Sequence, residues 1–98
     1  MRVELSGNAR IDLLEAADTY NLQRDGLGDY FLEFVGQCLI QLESQAGIHE
    51  RVFGYHRKLV IRFPFAIYYR IIEDGVQVVA VLDCRRDPLT VFNRLNSI

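Results

Sequence analysis

Two apolar periods, one after the other, constrain this chain more than any other feature. From Leu27 to Leu42 the residues Leu27, Tyr30, Phe31, Phe34, Val35, Cys38, Leu39 and Leu42 return at every third or fourth position. On a helix of 3.6 residues per turn they form one stripe. After Gly54 the period drops to two, and Leu59, Ile61 and Phe63 alternate with Lys58, Val60 and Arg62. That alternation marks a half-buried strand. A chain that changes period in this way must pack helices against a sheet.

The rest of the chain can be ordered around that switch. Val3–Leu5 reads as a short strand. Ser6 follows as a helix N-cap, its hydroxyl placed to accept from the backbone of Ala9. Ala9, Leu13, Ala16, Ala17 and Tyr20 then recur at helical spacing, with Arg10, Asp12, Glu15 and Asp18 largely between them. Asp25-Gly26-Leu27-Gly28 breaks this first helix. The second runs to about Gln45, where Gly47 can end it, so the two form an antiparallel hairpin. The first long strand extends to Phe63, and Pro64, lacking a backbone donor, separates it from a second strand over Phe65–Glu73. Leu59, Ile61, Phe65 and Ile67 are expected in the core. Asp74-Gly75 signals a tight hairpin, because both residues tolerate positive φ. Val76–Cys84 returns, and Asp87-Pro88 opens a last short helix through Val91, Phe92 and Leu95. Helices grouped before strands indicate an α+β fold of two layers. The expectation is an N-terminal strand and helical hairpin packed on an antiparallel sheet, with a short C-terminal helix, in a single domain over residues 1–98.

Charge is unevenly spread along this frame. Residues 1–50 hold three basic and nine acidic side chains, a net of −6; residues 51–98 hold eight basic and four acidic, a net of +4. Either the second half meets an anionic partner or the halves attract one another across the fold. The acid at Glu4 interrupts any secretory signal, and the apolar runs Phe63–Tyr69 and Val78–Leu82 are too short to span a membrane. Cys38 and Cys84 form no close pair and read as reduced core thiols. These features imply a cytoplasmic chain with no membrane role. No GxGxxG, P-loop or metal-ligand spacing is present, so no cofactor and no metal are expected.

Three stretches resemble one toxin superfamily. Arg57-Lys58-Leu59-Val60-Ile61-Arg62-Phe63-Pro64-Phe65-Ala66-Ile67-Tyr68-Tyr69-Arg70-Ile71 is similar to the central signature of ParE-type toxins. In these a basic strand is followed by Arg-Phe-Pro-aromatic and an Ile-Tyr-Tyr-Arg-like strand. Val79-Ala80-Val81-Leu82-Asp83-Cys84-Arg85-Arg86-Asp87-Pro88 resembles the family's closing strand. Ser6-Gly7-Asn8-Ala9-Arg10-Ile11-Asp12-Leu13 resembles its first helix start, with Gly7 in place of the usual proline. The three pieces stand in family order and cover nearly the whole chain, which resembles the RelE/ParE superfamily and its ParE-like branch most closely.

That resemblance implies the toxin half of a bacterial type II toxin–antitoxin pair, neutralised by a cognate antitoxin protein. ParE-like members poison DNA gyrase, and RelE-like members cut mRNA on the ribosome. The similar ribonucleases place an arginine early in the strand after the central turn, where this chain has Ala66 or Ile67. They also place a tyrosine in the C-terminal helix, where it has Val91 or Phe92. Only an arginine after the last strand is matched, by Arg85. His56, beside Arg57-Lys58, is the alternative base; His49 is a weaker one. The acidic overall balance argues against direct nucleic-acid binding. Gyrase inhibition without catalytic residues is the expectation, with ribosome-dependent cleavage and a non-toxic interaction domain as alternatives. A homodimer and a toxin–antitoxin hetero-oligomer both stay open.

Strand alternation selects the candidate contacts. Lys58 and Arg62, Tyr68 and Arg70, and Asp83 and Arg85 are the more polar sets of the three long strands. They are expected on one cationic face away from the helices, with Asp83 pairing one arginine. Lys58, Arg62, Tyr68, Arg70, Arg85 and Arg86 are thus the expected target- or antitoxin-binding residues. Arg86 can also tie the last helix to the sheet.

Overall fold

A computed structural model describes residues 1–98. The elements run β1 (Arg2–Leu5), α1 (Gly7–Gln23), α2 (Leu27–Gln45), β2 (Arg51–Val52), β3 (Tyr55–Val60), β4 (Phe65–Ile72), β5 (Gly75–Asp83) and α3 (Pro88–Asn96). The five strands form one sheet in the order β1-β5-β4-β3-β2. β2 to β5 pair antiparallel, and β1 lies parallel to β5 at the edge, so the sheet is mixed. The α+β class expected from the two periods holds.

Local chemistry explains the entry into the hairpin. The Ser6 hydroxyl accepts from the Ala9 amide at 3.1 Å, as its position predicts, and starts α1. Gly26 turns the chain at φ 85, a conformation open to glycine. Gly28 has a different task. It is buried, and a Cβ there would lie 2.0 Å from the Ala17 carbonyl oxygen, so the two helices meet backbone to backbone. The Asn21 side chain accepts from its amide at 2.8 Å.

The hairpin buries the larger core. Ala9, Leu13 and Ala17 from α1 and Phe31, Val35, Cys38 and Leu42 from α2 pack on Val60, Phe63, Ile67, Tyr69, Val76, Val78 and Val81. A smaller core lies on the opposite sheet face, where Ala66, Tyr68, Val79, Ala80 and Leu82 meet Val91 and Leu95 of α3. Both sheet faces therefore carry helix. This explains why β5 is apolar nearly throughout rather than alternating.

Three expectations need correction. β3 stops at Val60, and Ile61–Pro64 form a turn. Leu59 is 54% exposed and Ile61 91% exposed, while Val60 and Phe63 are buried. Register decides Leu59, which pairs with Ala66 on the α3 side while Val60 pairs with Phe65 on the hairpin side, and Ile61 already lies in the turn, so both apolar residues expected inward face solvent. Ile67 is buried as expected, and Phe65 packs on the larger core. Asp74-Gly75 also works differently. Ile72 pairs with Gly75, so Glu73 and Asp74 make the loop, and Gly75 is absent from the positive-φ glycines. Glycine is needed because a Cβ there would sit 2.2 Å from the Arg2 carbonyl oxygen of β1. Finally, Cys38 is buried but Cys84 is exposed, so only one of the two free thiols is a core residue.

Candidate functional site

The expected cationic face is not one face. β4 alternates cleanly: Phe65, Ile67 and Tyr69 face the hairpin, and Ala66 and Tyr68 face α3. Lys58 pairs with Ile67, which puts it on the hairpin side. Tyr68 is 3% exposed in the α3-side core. Arg70 pairs with Gln77 on that same side and donates to its side-chain oxygen at 2.8 Å.

β5 then changes parity. Tyr68 pairs with Ala80 and Tyr69 with Val78, leaving Val79 as an extra, bulged residue. One inserted residue reverses the faces of everything beyond it. Gln77 therefore faces α3, whereas Val81 and Asp83, opposite Ile67 and Phe65, face the hairpin. The structure separates the six sequence-selected residues into two groups. Lys58, Arg62, Arg85 and Arg86 stand on or beside the hairpin side, and Tyr68 and Arg70 on the α3 side.

Three of the first group surround an aromatic cluster at the loop end of the hairpin. Tyr20, Tyr30, Phe31, Phe34, Phe63 and Phe65 pack there in tilted and edge-on pairs with centroids 5.0–6.3 Å apart. Such geometries suit the ring quadrupoles. Arg62, in the turn after β3, donates to the Tyr30 hydroxyl at 3.1 Å, and its guanidinium lies 5.8 Å from the Phe34 ring centre. Asp83 accepts from the Arg85 side chain at 3.0 and 2.7 Å. This side-chain bond holds the Asp83 carboxyl below its ordinary range, against the upward push of burial. Burial raises the Tyr20 phenol, with Arg85 pulling the other way. A cleft of about 220 Å³ between α1 and the end of β5 is lined by Tyr20, Phe65, Asp83, Arg85 and Arg86, among others. Arg86 makes no side-chain ion pair, so its charge is free beside the cleft.

Other functional groups were not legible as contacts. Asp12 accepts both guanidinium nitrogens of Arg94 at 2.8 and 2.7 Å and the Val81 amide at 3.0 Å. Arg94, not Arg86, thus ties α3 to the rest of the molecule. The buried Tyr69 hydroxyl accepts from the Gly47 amide at 3.0 Å and bonds His49 Nδ1. His56 stacks on the Tyr69 ring at 5.1 Å and uses Nδ1 against the His49 carbonyl. Burial, then Lys58 and His56, lower the pKa of His49. Both histidines are held by structural bonds. Ala66 is fully buried and Val91 nearly so. Histidine spacing carries no sign of this cluster; only the β3–β4 register, which pairs His56 with Tyr69, creates it.

No helix is long and apolar enough to cross a membrane. No family model and no curated protein matches the chain. Among solved structures it is similar to a chain of the chromosomal ParDE TA system from P. aeruginosa. The TM-score is 0.75 at 19% identity, over 83% of this chain and 92% of that one. At that identity the likeness establishes the fold, which is the RelE/ParE-like arrangement that the sequence pattern implied.

Proposed function

We propose that this chain is the toxin of a type II toxin–antitoxin pair, a ParE-like protein that inhibits DNA gyrase by binding and is neutralised by a cognate antitoxin. The observation that carries the reading is the agreement of two independent likenesses. The sequence carries the ParE-type pattern along nearly its whole length, and the backbone is similar to a chain of a ParDE system. The reading places the protein in the cytoplasm, as one domain over residues 1–98, with the antitoxin as its first partner.

The absence of a recognisable acid–base set supports binding over cleavage. Metal-free RNA cleavage needs a base for the 2′-hydroxyl, an acid for the leaving oxygen and cations for the phosphorane. At the two places where similar ribonucleases hold an arginine and a tyrosine, Ala66 and Val91 are buried in the α3-side core. Phe92 has no proton to move. His49 and His56 are engaged with Tyr69 and with each other.

Arg62, Arg85 and Arg86 then serve as target contacts around the aromatic cluster, with Arg70 and Lys58 outside that rim. The antitoxin covers apolar surface that the fold leaves open, including Ile11, Leu14 and Leu22 on α1. The test compares the purified chain in a gyrase supercoiling assay and in a ribosome-programmed translation reaction. Loss of supercoiling with intact mRNA is expected. Codon-specific mRNA cuts with normal supercoiling would move the chain to the ribonuclease branch.

A further inference from the structure

We propose that the free edge of β1 is a self-association surface, on which two copies of this chain join their sheets antiparallel about a two-fold axis at Val3. The inference is independent of the target of the toxin.

The backbone decides which groups are available. The Ser6 amide donates to the Val78 carbonyl at 2.9 Å, which continues the β1–β5 register of Leu5 with Val78. In a parallel ladder alternate residues point to the partner strand. Ser6, Glu4 and Arg2 therefore face β5, and Val3 and Leu5 turn their N–H and C=O outward. β1 is the last strand on its side of the sheet, and no backbone bond outside the ladders involves Val3 or Leu5. An edge with unpaired donors and acceptors is a template for another strand.

The surroundings select a second copy. Beside this edge is a groove of about 460 Å³, lined by Val3, Glu4, Leu5, Leu39 and Ile40 with Arg10 and Glu43. Ile40 is 59% exposed. The lining is apolar with both signs of charge, which matches its own kind better than a strongly acidic or basic peptide. With the axis at Val3, each Val3 exchanges two hydrogen bonds with its mate. Arg2 then stands opposite Glu4 of the second copy, twice by symmetry. Both residues are exposed on the face away from the hairpin, and the Arg2 guanidinium, held within its own chain only by a long, exposed 3.3 Å bridge to Asp74, is open to a second carboxylate. Opposite charges directly across an antiparallel pair stabilise it, and like charges oppose it. The two-fold makes the interface isologous and closed, and the edge disappears. Gly75 helps indirectly, because its missing side chain lets β1 lie close enough to β5 to continue the sheet.

The experiment uses the untagged full chain without a partner. Sedimentation equilibrium is measured across roughly 10 µM to 1 mM, with amide exchange at Val3 and Leu5 followed in parallel. A concentration-dependent dimer with slowed exchange at both amides is expected. Glu4→Arg should weaken it by about tenfold or more, because two attractive pairs become repulsive. The double variant Arg2→Glu/Glu4→Arg should restore it. Circular dichroism of each variant shows that the fold is kept, since both positions are exposed. A monomer at every concentration overturns the proposal. So does a dimer indifferent to Glu4→Arg, or a folded double variant that stays monomeric. Protection of Val3 and Leu5 only when an antitoxin segment is added would assign the edge to that segment and likewise overturn it.

Discussion

Asp12 accepts three hydrogen bonds with a side chain only 9% exposed, and its two partners behave differently when it is removed. Asp12→Ala strands both the Arg94 guanidinium and the Val81 amide. A stability loss of about 3 kcal/mol is expected. Arg94→Ala leaves the carboxylate one backbone donor and some access to water, so a loss of about 1–2 kcal/mol is expected. Urea unfolding of the two variants gives the order. His49 sets a pH dependence of its own. Its folded pKa lies below the ordinary histidine value, chiefly through burial, so on acidification the unfolded chain takes up the proton first. Its contribution to stability is present above that ordinary value and is lost as pH falls through about 6.5 toward the folded value. The urea midpoint should therefore drop between about pH 7.5 and about pH 5.5. His49→Gln should flatten this profile, and an unchanged slope in that variant would remove His49 as the cause. The depressed Asp83 carboxyl acts elsewhere. Its contribution persists above the ordinary carboxylate range and is lost only in more acid solution.

At the scale of elements, the end of β3 is the place where periodicity misleads. Leu59, Ile61 and Phe63 look equivalent in the sequence, yet only Phe63 enters the core, edge-on to Phe31 at 5.1 Å. Phe63→Ala is expected to cost about 3–5 kcal/mol, as truncated core aromatics do. Leu59→Ala and Ile61→Ala should stay within about 0.5 kcal/mol of the parent, as exposed changes do. Thermal or urea unfolding of the three single variants reads the difference. The helices were far more legible. Ser6, the α2 stripe and Asp87 lie where their residue types place them, and the Asp87 carboxylate accepts from the Leu89 amide at 2.8 Å to cap α3. Helical periodicity survives because it is repeated over many residues and both ends carry capping chemistry. A six-residue strand ending in a turn has neither safeguard.

For the whole molecule, the charge asymmetry resolves into a few bridges and an unpaired remainder. Only Arg2–Asp74, Arg57–Glu50, Arg85–Asp83 and Arg94–Asp12 pair, and two of these, the exposed Arg57–Glu50 and the partly buried Arg94–Asp12, join the acidic first half to the basic second half; Arg2–Asp74 joins them in the opposite sense. Attraction between the halves thus accounts for part of the asymmetry, and Arg62 and Arg86 keep their charge free of any ion pair. If these are contacts rather than catalysts, removing them weakens binding without abolishing a chemical step. Expression of the chain alone should arrest growth. Arg62→Ala and Arg86→Ala should then lose toxicity by degrees that higher expression restores. Loss at every dose in a soluble, folded variant would point to chemistry at that residue.

The sequence by itself determined the class of fold, the helix boundaries and the family pattern, because periodicity, caps and signature stretches are properties of neighbouring residues. Tertiary structure decided which side chains share a surface. The bulge at Val79 moved Asp83 to the hairpin side, the turn at Ile61–Pro64 carried Arg62 onto Tyr30 and Phe34, and the parallel seating of β1 required Gly75. Each depends on register between segments far apart in the chain, and one residue of register reverses a face. Alternation along a single strand cannot report it.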